Sequence, residues 1–450
     1  MKQILTILST LVFSLTLSAQ VVMPARPAIP ERTVCLSDFG GIPDGLSSNT
    51  EAFSKAISAL NKQGGGHLTV PEGVYLTGPI VLKDCIDLHL EKGAIIIFSP
   101  DKRDFLDKGS VRPCISASKR HDIAISGEGM IDGNGQWWRV VKRSKVSDAE
   151  WKAFLKMGGT VTEDGSLWYP FGLNDYPDIA PTAQEQEKMR THLVRLTDCE
   201  RILVEGVTIC NSPKFHLVPQ RCKDVTIDGV SVRCPWNAQN GDGIDIMQCE
   251  RVLVTRCTLD VGDDGICLKG GVGAKSLKDG PCRDITIEHN TVFHAHGGFV
   301  IGSEFSAGME NITVRHNSFN GTDTGLRFKS APGRGGKTIN IRISDITMAA
   351  IKDQAVVFET SYADRHAGGS GFEPGKNAEF MPEFCDILIE RVTCRGCDTA
   401  IKAEGSPQTI HDITIRNSTI FYESKGLDET VPGLVTLENV TLSCNSGTTD

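Results

Sequence analysis

Short segments of alternating apolar and polar residues recur along most of the chain. Alternation with a period of two is typical of half-buried strands, and their spacing of about 22 to 33 residues is typical of solenoid repeats. Many repeats hold a second strand-like run at a glycine, namely GIDIM, GICLK, GFVIG and GLRFK. The first runs are RILVEGV, DVTIDGV, RVLVTRC, DITIEHN, NITVRHN, NIRISDI, DILIERV, DITIRNS and LVTLENV.

These repeats predict an all-β chain. Repeats so short and so poor in helical periodicity can bury their apolar faces only by stacking coil on coil, as in a right-handed parallel β-helix. Because the first coil would expose a sheet edge, a cap is expected. The segment NTEAFSKAISALNKQGGG predicts a short N-terminal capping helix with Asn49 or Thr50 as N-cap. Residues about 136–190 break the repeat and are interpreted as an insertion.

The N-terminal residues predict export. Lys2, an apolar run and small residues near Ala19 are typical of a secretory signal peptide, residues 1–19. A linker (20–33) and a single β-helix catalytic domain (34–450) would follow. We expect an exported protein, periplasmic or secreted, with no integral membrane segment after cleavage, and a monomer.

The net charge of the chain limits the classes of partner that it can bind. A net charge of −9 disfavours nucleic acid as a partner, because phosphates need a basic face.

Four of the 15 cysteines precede strand runs at one offset, which predicts a stacked, buried ladder. They are Cys199, Cys222, Cys249 and Cys282. Cys394 and Cys397 have no matching second pair, so no metal and no cofactor are expected.

Stacking also predicts which distant residues become neighbours. Aligning the second strands on their glycines turns one set of side chains inward: Ile244, Ile246, Ile266, Leu268, Phe299, Ile301, Leu326 and Phe328. Four charged residues point outward in the other phase: Asp245, Lys269, Arg327 and Lys329. Asp263 and His296 share that outer face on adjacent coils. Asp242 and Asp264 reach it only if a turn or bulge re-aims them.

This combination of charges indicates acid–base chemistry on an anionic sugar. Clustered carboxylates push their pKa values apart, so that one holds a proton while another stays ionised, as glycosidic bond hydrolysis requires. Cations beside the carboxylates would bind a negatively charged substrate. A polyuronate satisfies both conditions.

Four motifs in order resemble those of the polygalacturonase family, glycoside hydrolase family 28, and most closely its bacterial exo-polygalacturonase-like members. They are Asn240-Gly241-Asp242, Asp263-Asp264, Ala295-His296-Gly297 and Arg327-Phe328-Lys329. The middle residue of the first motif, the first glycine of the third and the middle residue of the fourth differ from the family pattern. The resemblance implies the pectin-lyase-like solenoid and an acidic pectic polysaccharide, galacturonan, as substrate.

The resemblance also implies roles for these residues. The reaction would be single-displacement hydrolysis of α-1,4-galacturonosyl bonds with inversion, which needs acid and base carboxyls roughly 6.5 to 9.5 Å apart. Asp263 would be the general acid, with His296 helping to keep it protonated. Asp242 and Asp264 would hold and deprotonate the attacking water. The substrate-binding residues would be Asn240, Arg327, Lys329, Lys269 and Tyr362.

The insertion bears on how the enzyme attacks its polymer. Trp137, Trp138, Trp151 and Trp168 could line a sugar subsite or pack the insertion onto the coils. An insertion that closes one end of the cleft would favour exo attack.

Three alternatives share some of these features. A rhamnogalacturonan hydrolase belongs to the same family, although His296 argues against it. A calcium-dependent pectate lyase shares the fold and substrate, and its metal site could resemble the aspartate cluster. A noncatalytic β-helix would bind galacturonan without cleaving it.

Overall fold

The computed structural model describes residues 23–171, 175–180, 182–362 and 380–445. Most strands lie in three parallel faces, and most coils place successive strands on faces 1, 2 and 3. This is the right-handed parallel β-helix that the repeats predict. The predicted signal peptide, residues 1–19, lies outside the described residues.

Face 1 contains the first alternating run of each repeat. Its parallel strands are Thr33–Cys35, Gly66–Val70, Ile86–Leu90, His121–Gly127, Glu200–Glu205, Lys223–Asp228, Glu250–Thr255, Cys282–Glu288, Met309–Arg315, Thr338–Ala349, Ile387–Arg395, Ile413–Tyr422 and Thr436–Cys444.

Face 2 follows face 1 after a sharp corner in each coil, and its last strand pairs with the long strand Thr338–Ala349. Its strands are Asp44–Ser48, Gly73–Thr77, Ala94–Phe98, Met130–Asp132, Thr208–Cys210, Ser231–Arg233, Thr258–Asp260, Thr291–Val292 and Ser318–Asn320.

Face 3 is an 11-stranded sheet. It consists of Ile80–Val81, Ile115–Ser118, Val194–Thr197, Leu217–Gln220, Ile244–Met247, Ile266–Lys269, Gly297–Ile301, Thr324–Lys329, Gln354–Glu359, Thr399–Glu404 and Lys425–Glu429.

The register of face 3 confirms the predicted inward columns. Ile244 pairs with Ile266, Ile266 with Phe299 and Phe299 with Leu326. All four side chains are buried in the core that runs along the coil axis. The glycine that enters each strand is required by close packing, since a Cβ on Gly298 would lie 2.4 Å from the ring of Phe319.

The cysteine ladder is also confirmed. Cys199, Cys222, Cys249 and Cys282 are buried free thiols, and the described residues contain no disulfide. The backbone N–H of Cys222 donates to Sγ of Cys249 at 3.4 Å. The ladder therefore packs and hydrogen-bonds neighbouring coils.

The predicted cap is the helix Thr50–Lys62, which begins after Asn49. Its buried face of Phe53, Ala56, Ile57 and Leu60 covers the first coils. The side chain of Asn49 does not cap the helix. It accepts from the backbone N–H of Ile42 at 2.7 Å and donates to nearby carbonyls, so it fixes the preceding loop instead.

The interruption at 136–190 forms a small structure of its own. The antiparallel strands Val141–Lys142, Thr160–Val161 and Leu167–Tyr169 pair together beside the helices Asp148–Lys156 and Ala183–Lys188. Trp138 packs edge-on against Phe105, and Trp168 packs against Phe154. Trp138 thus packs the insertion onto the coils, the second of the two predicted alternatives, whereas Trp168 packs within the insertion itself.

The remaining elements are short. They are the antiparallel pair Leu106–Asp107 and Ser110–Val111, the helix Gly273–Ser276, and the 3-10 turns Leu36–Phe39, Lys102–Phe105, Gly135–Trp137 and Arg143–Lys145. Within the described ranges, no helix has the length and apolar character that crossing a membrane requires.

Candidate active site

The connections from face 2 to face 3 carry the acidic residues of the site. Asp242, Asp263, Asp264 and His296 lie on three successive connections, each just before a face 3 strand. Face 3 supplies the cations from the strands that follow. All nine site residues predicted from the sequence line one cavity of about 720 Å³: Asn240, Asp242, Asp263, Asp264, Lys269, His296, Arg327, Lys329 and Tyr362.

Asp263 is held by His296 on the next coil. Nδ1 of His296 lies 3.0 Å from Oδ1 of Asp263, and the same oxygen accepts from the backbone N–H of Asp264 at 3.1 Å. Nε2 of His296 lies 3.2 Å from Nζ of Lys145, which also donates to the carbonyl of Gly262. An ammonium can only donate, so Nε2 accepts and the ring proton lies on Nδ1, directed at Asp263.

Asp264 is neutralised by two cations from one strand. Nζ of Lys329 donates to its Oδ2 at 2.8 Å, and Nη1 of Arg327 lies 3.7 Å from its Oδ1. The ring of Tyr362 lies 5.1 Å from Nζ of Lys329 and 5.7 Å from the guanidinium carbon of Arg327. Both cations are thereby fixed against the cleft wall.

Asp242 shares a single lysine with two other acids. Nζ of Lys269 lies 3.4 Å from carboxylate oxygens of Asp242 and Asp245, and 3.7 Å from Glu304. The ring of Phe215 covers this ammonium at 4.2 Å. One positive charge therefore compensates three acids, and Oδ1 of Asp242 has no hydrogen-bond partner.

The three aspartates consequently titrate differently. Burial, followed by the charges of Asp245 and Asp263, raises the pKa of Asp242 well above its usual range. Burial alone would also raise the pKa of Asp263, but the hydrogen bond from His296 and nearby cations outweigh it and lower the pKa. Lys329 and Arg327 likewise overcome burial and lower the pKa of Asp264. Of the three, Asp242 therefore has the strongest tendency to hold a proton in the substrate-free cleft.

The direction of the pKa shift of Asp263 differs from the role that the resemblance implies for His296. The resemblance implies that His296 helps to keep Asp263 protonated, whereas its Nδ1–H donates to the carboxylate and favours the ionised form. The two hydrogen bonds to Oδ1 have a second consequence. A proton taken up by Asp263 can lie only on Oδ2.

Asp263, Asp264 and His296 also form a compact cluster. One oxygen of Asp263 and one of Asp264 lie within 4.8 Å of each other. Because Lys329 and Arg327 already pair with Asp264, the protein's own cations occupy this cluster.

Asn240 binds another side chain rather than Asp242. Its Oδ1 accepts from Nη2 of Arg190 at 2.8 Å, and Arg190 is also ion-paired with Glu187. Its backbone has a positive φ of 52°, a conformation that asparagine tolerates well. Asn240 therefore shapes the loop that leads to Asp242.

Sequence reasoning missed the residues that the insertion contributes. Lys145 and Arg190 contact the predicted residues His296 and Asn240. One wall of the cavity also comes from the insertion: Val140, Lys142, Leu167, Tyr169, Glu187 and Lys188. None of its tryptophans is among the described lining residues. Strand alternation predicts Asp245 on the outer face, whereas the structure buries its side chain beside Lys269.

Comparisons with known proteins agree with this geometry. Residues 143–430 match the family described as Glycosyl hydrolases family 28. The chain is 28% identical over 412 residues to an exo-poly-α-D-galacturonosidase of Dickeya chrysanthemi, covering 86% of this chain but only 66% of that enzyme. It is 24% identical to an endo-polygalacturonase of Pectobacterium carotovorum, covering 84% of this chain and 86% of the other.

A solved structure extends the similarity to nearly the whole chain. The hyperthermoactive exopolygalacturonase from Thermotoga maritima superposes with a TM-score of 0.75 and 29% sequence identity. The match covers 94% of each chain.

Proposed function

The chain belongs to glycosyl hydrolase family 28, and we propose that it hydrolyses α-1,4-galacturonosyl bonds of polygalacturonate from a chain end. The observation that carries this proposal is one cavity that combines Asp242, Asp263 and Asp264 with two cations fixed on its wall. The carboxylates supply acid–base chemistry, and the cations bind the carboxylate of a galacturonate unit.

In the proposed reaction Asp263 protonates the glycosidic oxygen through Oδ2. The bond between that oxygen and the anomeric carbon breaks as a water molecule attacks the same carbon. Asp242 or Asp264 accepts the proton of the water. The products are a shortened galacturonan and a free galacturonate.

Substrate binding supplies the protonation state that this reaction needs. The carboxylate of the substrate brings a negative charge to Arg327 and Lys329, and so offsets positive charge that keeps Asp263 ionised. The pKa of Asp263 then rises. Asp242, whose pKa is raised by burial, is the proposed source of that proton and becomes ionised when it gives the proton up.

The insertion supports exo attack. Its side chains form one wall of the cavity beside the coils that carry Asp242 and Asp263. A wall at that position blocks passage of a polymer beyond the cleavage point, so cleavage would release one terminal unit at a time. Chromatography of the earliest products tests this directly, because exo attack gives monogalacturonate alone and endo attack gives a series of oligomers.

The Asp263→Asn variant tests the proposed acid. Asparagine preserves shape and cannot donate the proton, so kcat on polygalacturonate should fall by about 10²- to 10⁴-fold. A reducing-sugar assay measures this loss. Asp284→Asn is the matched control, because Asp284 lies outside the cavity at a positive φ that asparagine tolerates. Near-native activity of Asp263→Asn would falsify the assignment.

The same assays separate the alternatives. A pectate lyase would give unsaturated products that absorb ultraviolet light and would lose activity with chelator. A noncatalytic binder would release no reducing ends. A rhamnogalacturonan hydrolase would prefer rhamnogalacturonan to polygalacturonate.

Residues 1–19 support export of the protein to the periplasm or medium, where pectic polymers are available. We also expect the enzyme to act as a monomer. N-terminal sequencing and light scattering of the mature protein test these two points.

A further inference from the structure

A second cluster of polar side chains lies at the start of two neighbouring face 1 strands, away from the residues that line the cleft. Glu383 and Cys385 precede the strand Ile387–Arg395, and His411 precedes the next strand. One atom from each side chain lies within 4.8 Å of the other two. Backbone hydrogen bonds to Thr338 and Phe384 hold the cluster on the coil.

Two donors converge on one oxygen of Glu383. Nε2 of His411 lies 3.2 Å from Oε1 of Glu383, and Sγ of Cys385 lies 3.2 Å from the same atom. The thiol also approaches the carbonyl of Thr338 at 3.1 Å. Among the described residues, no lysine or arginine lies within 4.0 Å of the Glu383 carboxylate.

The imidazole of His411 is oriented from its other side. Nδ1 of His411 lies 2.7 Å from Oδ2 of Asp412. Both ring nitrogens of His411 therefore face carboxylate oxygens, and a metal ion that replaced the Nε2 proton would leave Nδ1–H donating to Asp412. This carboxylate–histidine pairing is the usual support of a metal-bound histidine.

We propose that Glu383, Cys385 and His411 form a zinc site. Bond lengths of about 2.0 to 2.3 Å to N, O and S in a tetrahedron place ligand atoms about 3.3 to 3.5 Å apart, close to the observed 3.2 Å contacts. One thiolate, one imidazole and one carboxylate suit borderline-soft zinc better than calcium or magnesium. Zinc binding releases two protons to solvent, one from Sγ of Cys385 and one from Nε2 of His411, and breaks the thiol contact with Thr338.

The proposed site has an open fourth position. The side chains of Glu383 and His411 are each 36% exposed, so water can complete the tetrahedron. The zinc would join residues from two neighbouring coils. The expectation of no metal rests on Cys394 and Cys397 and does not cover this site, because His411 meets Glu383 and Cys385 only after the coils stack.

A similar cluster elsewhere serves as the internal control. Cys85, His121 and Asp122 also lie within 4.8 Å of one another. There the carboxylate of Asp122 already accepts two hydrogen bonds from Arg201 at 2.7 Å and one from the backbone N–H of Ala28. A metal would have to displace the arginine, so this second cluster is not expected to bind zinc.

Zinc and cobalt(II) binding to the chelator-treated full chain tests the proposal. Competition with a chromogenic chelator should show one zinc per chain, and Cys385→Ser or His411→Gln should weaken binding by at least about 100-fold. Asp412→Asn should weaken it by about 10- to 100-fold. Cys85→Ser should change nothing. Thermal unfolding without metal checks that each variant folds.

The cobalt(II) spectrum keeps the proposal testable without any variant. The unmodified chain should show thiolate-to-cobalt charge-transfer absorption, which Cys385→Ser abolishes. The proposal is overturned if the chain binds no stoichiometric zinc or if cobalt lacks a thiolate ligand. It is also overturned if zinc binding survives in Cys385→Ser but is lost in Asp263→Asn, which would place the ion in the cleft.

Discussion

Asp242 and Asp264 occupy equivalent positions on successive coils, one residue before a glycine, yet their pKa values shift in opposite directions. The difference comes from their cations. Asp264 has Lys329 at 2.8 Å and a second cation nearby, whereas Asp242 shares one lysine at 3.4 Å with two other acids. The cations that face each aspartate, rather than its position in the repeat, therefore decide the direction in which its pKa shifts.

Lys145 is a positioning residue for the proposed acid, because it contacts His296 and not the substrate's reacting atoms. Replacing it with methionine frees the ring of His296 and removes a positive charge that lowers the pKa of Asp263. We expect kcat to fall about tenfold through lost orientation. The alkaline limb of the kcat/KM profile should move to higher pH because the pKa of the acid rises.

The exposed Lys156, on the insertion helix, provides the control for this prediction. Lys156→Met should leave both kcat and the pH profile unchanged. A Lys145→Met enzyme that loses activity with an unshifted profile would contradict the proposed electrostatic role.

The buried carboxyl of Asp245 should make the free energy of unfolding of the protein depend on pH. Burial, only partly offset by Lys269, raises its pKa from 3.8 to about 7. The folded state then holds a proton that the unfolded state releases, so the free energy of unfolding falls as pH rises from about 4 to 7. Asp245→Asn should make this decline shallower in urea unfolding experiments. An unchanged slope would show that Asp245 does not titrate in this range, and Asp284→Asn is the control.

At the scale of elements, the repeat predicted strands and their register because apolar columns must superpose in every coil. The Ile244–Ile266–Phe299 column follows from that requirement alone. The strands and helices at 141–188 were not predicted individually, since an insertion has no repeat to align and its packing depends on contacts such as Trp138 with Phe105. Hydrophobic periodicity therefore predicts strands within the repeat but not the elements of the insertion.

The N-terminal helix Thr50–Lys62 should stabilise the protein by covering the first coils. Phe53 is 1% exposed and packs in the core at the first coils. Phe53→Ala should lower the free energy of unfolding by about 3 to 5 kcal/mol through the lost burial and the cavity left behind. Urea unfolding measures the change against Lys55→Ala on the exposed face. Equal stability of the two variants would mean that the helix does not cap the coils.

For the whole molecule, stacking predicted the meeting of residues that are far apart in sequence. Asp263, His296 and Lys329 are brought together as the superposed coils require. What could not be predicted are the contacts of Lys145 with His296 and of Arg190 with Asn240, because these residues come from outside the repeat. Exact carboxylate spacing also depends on loop geometry that alternation does not determine.

Proton NMR of polygalacturonate, recorded while the purified enzyme acts on it, tests the central claim that this cleft is an inverting, end-acting hydrolase. We predict free galacturonate as the first product, formed initially as the β anomer and converting to α only by mutarotation. Signals of an unsaturated sugar, an initial α anomer or a series of oligomers would each contradict part of that claim. Unchanged polymer would contradict it entirely.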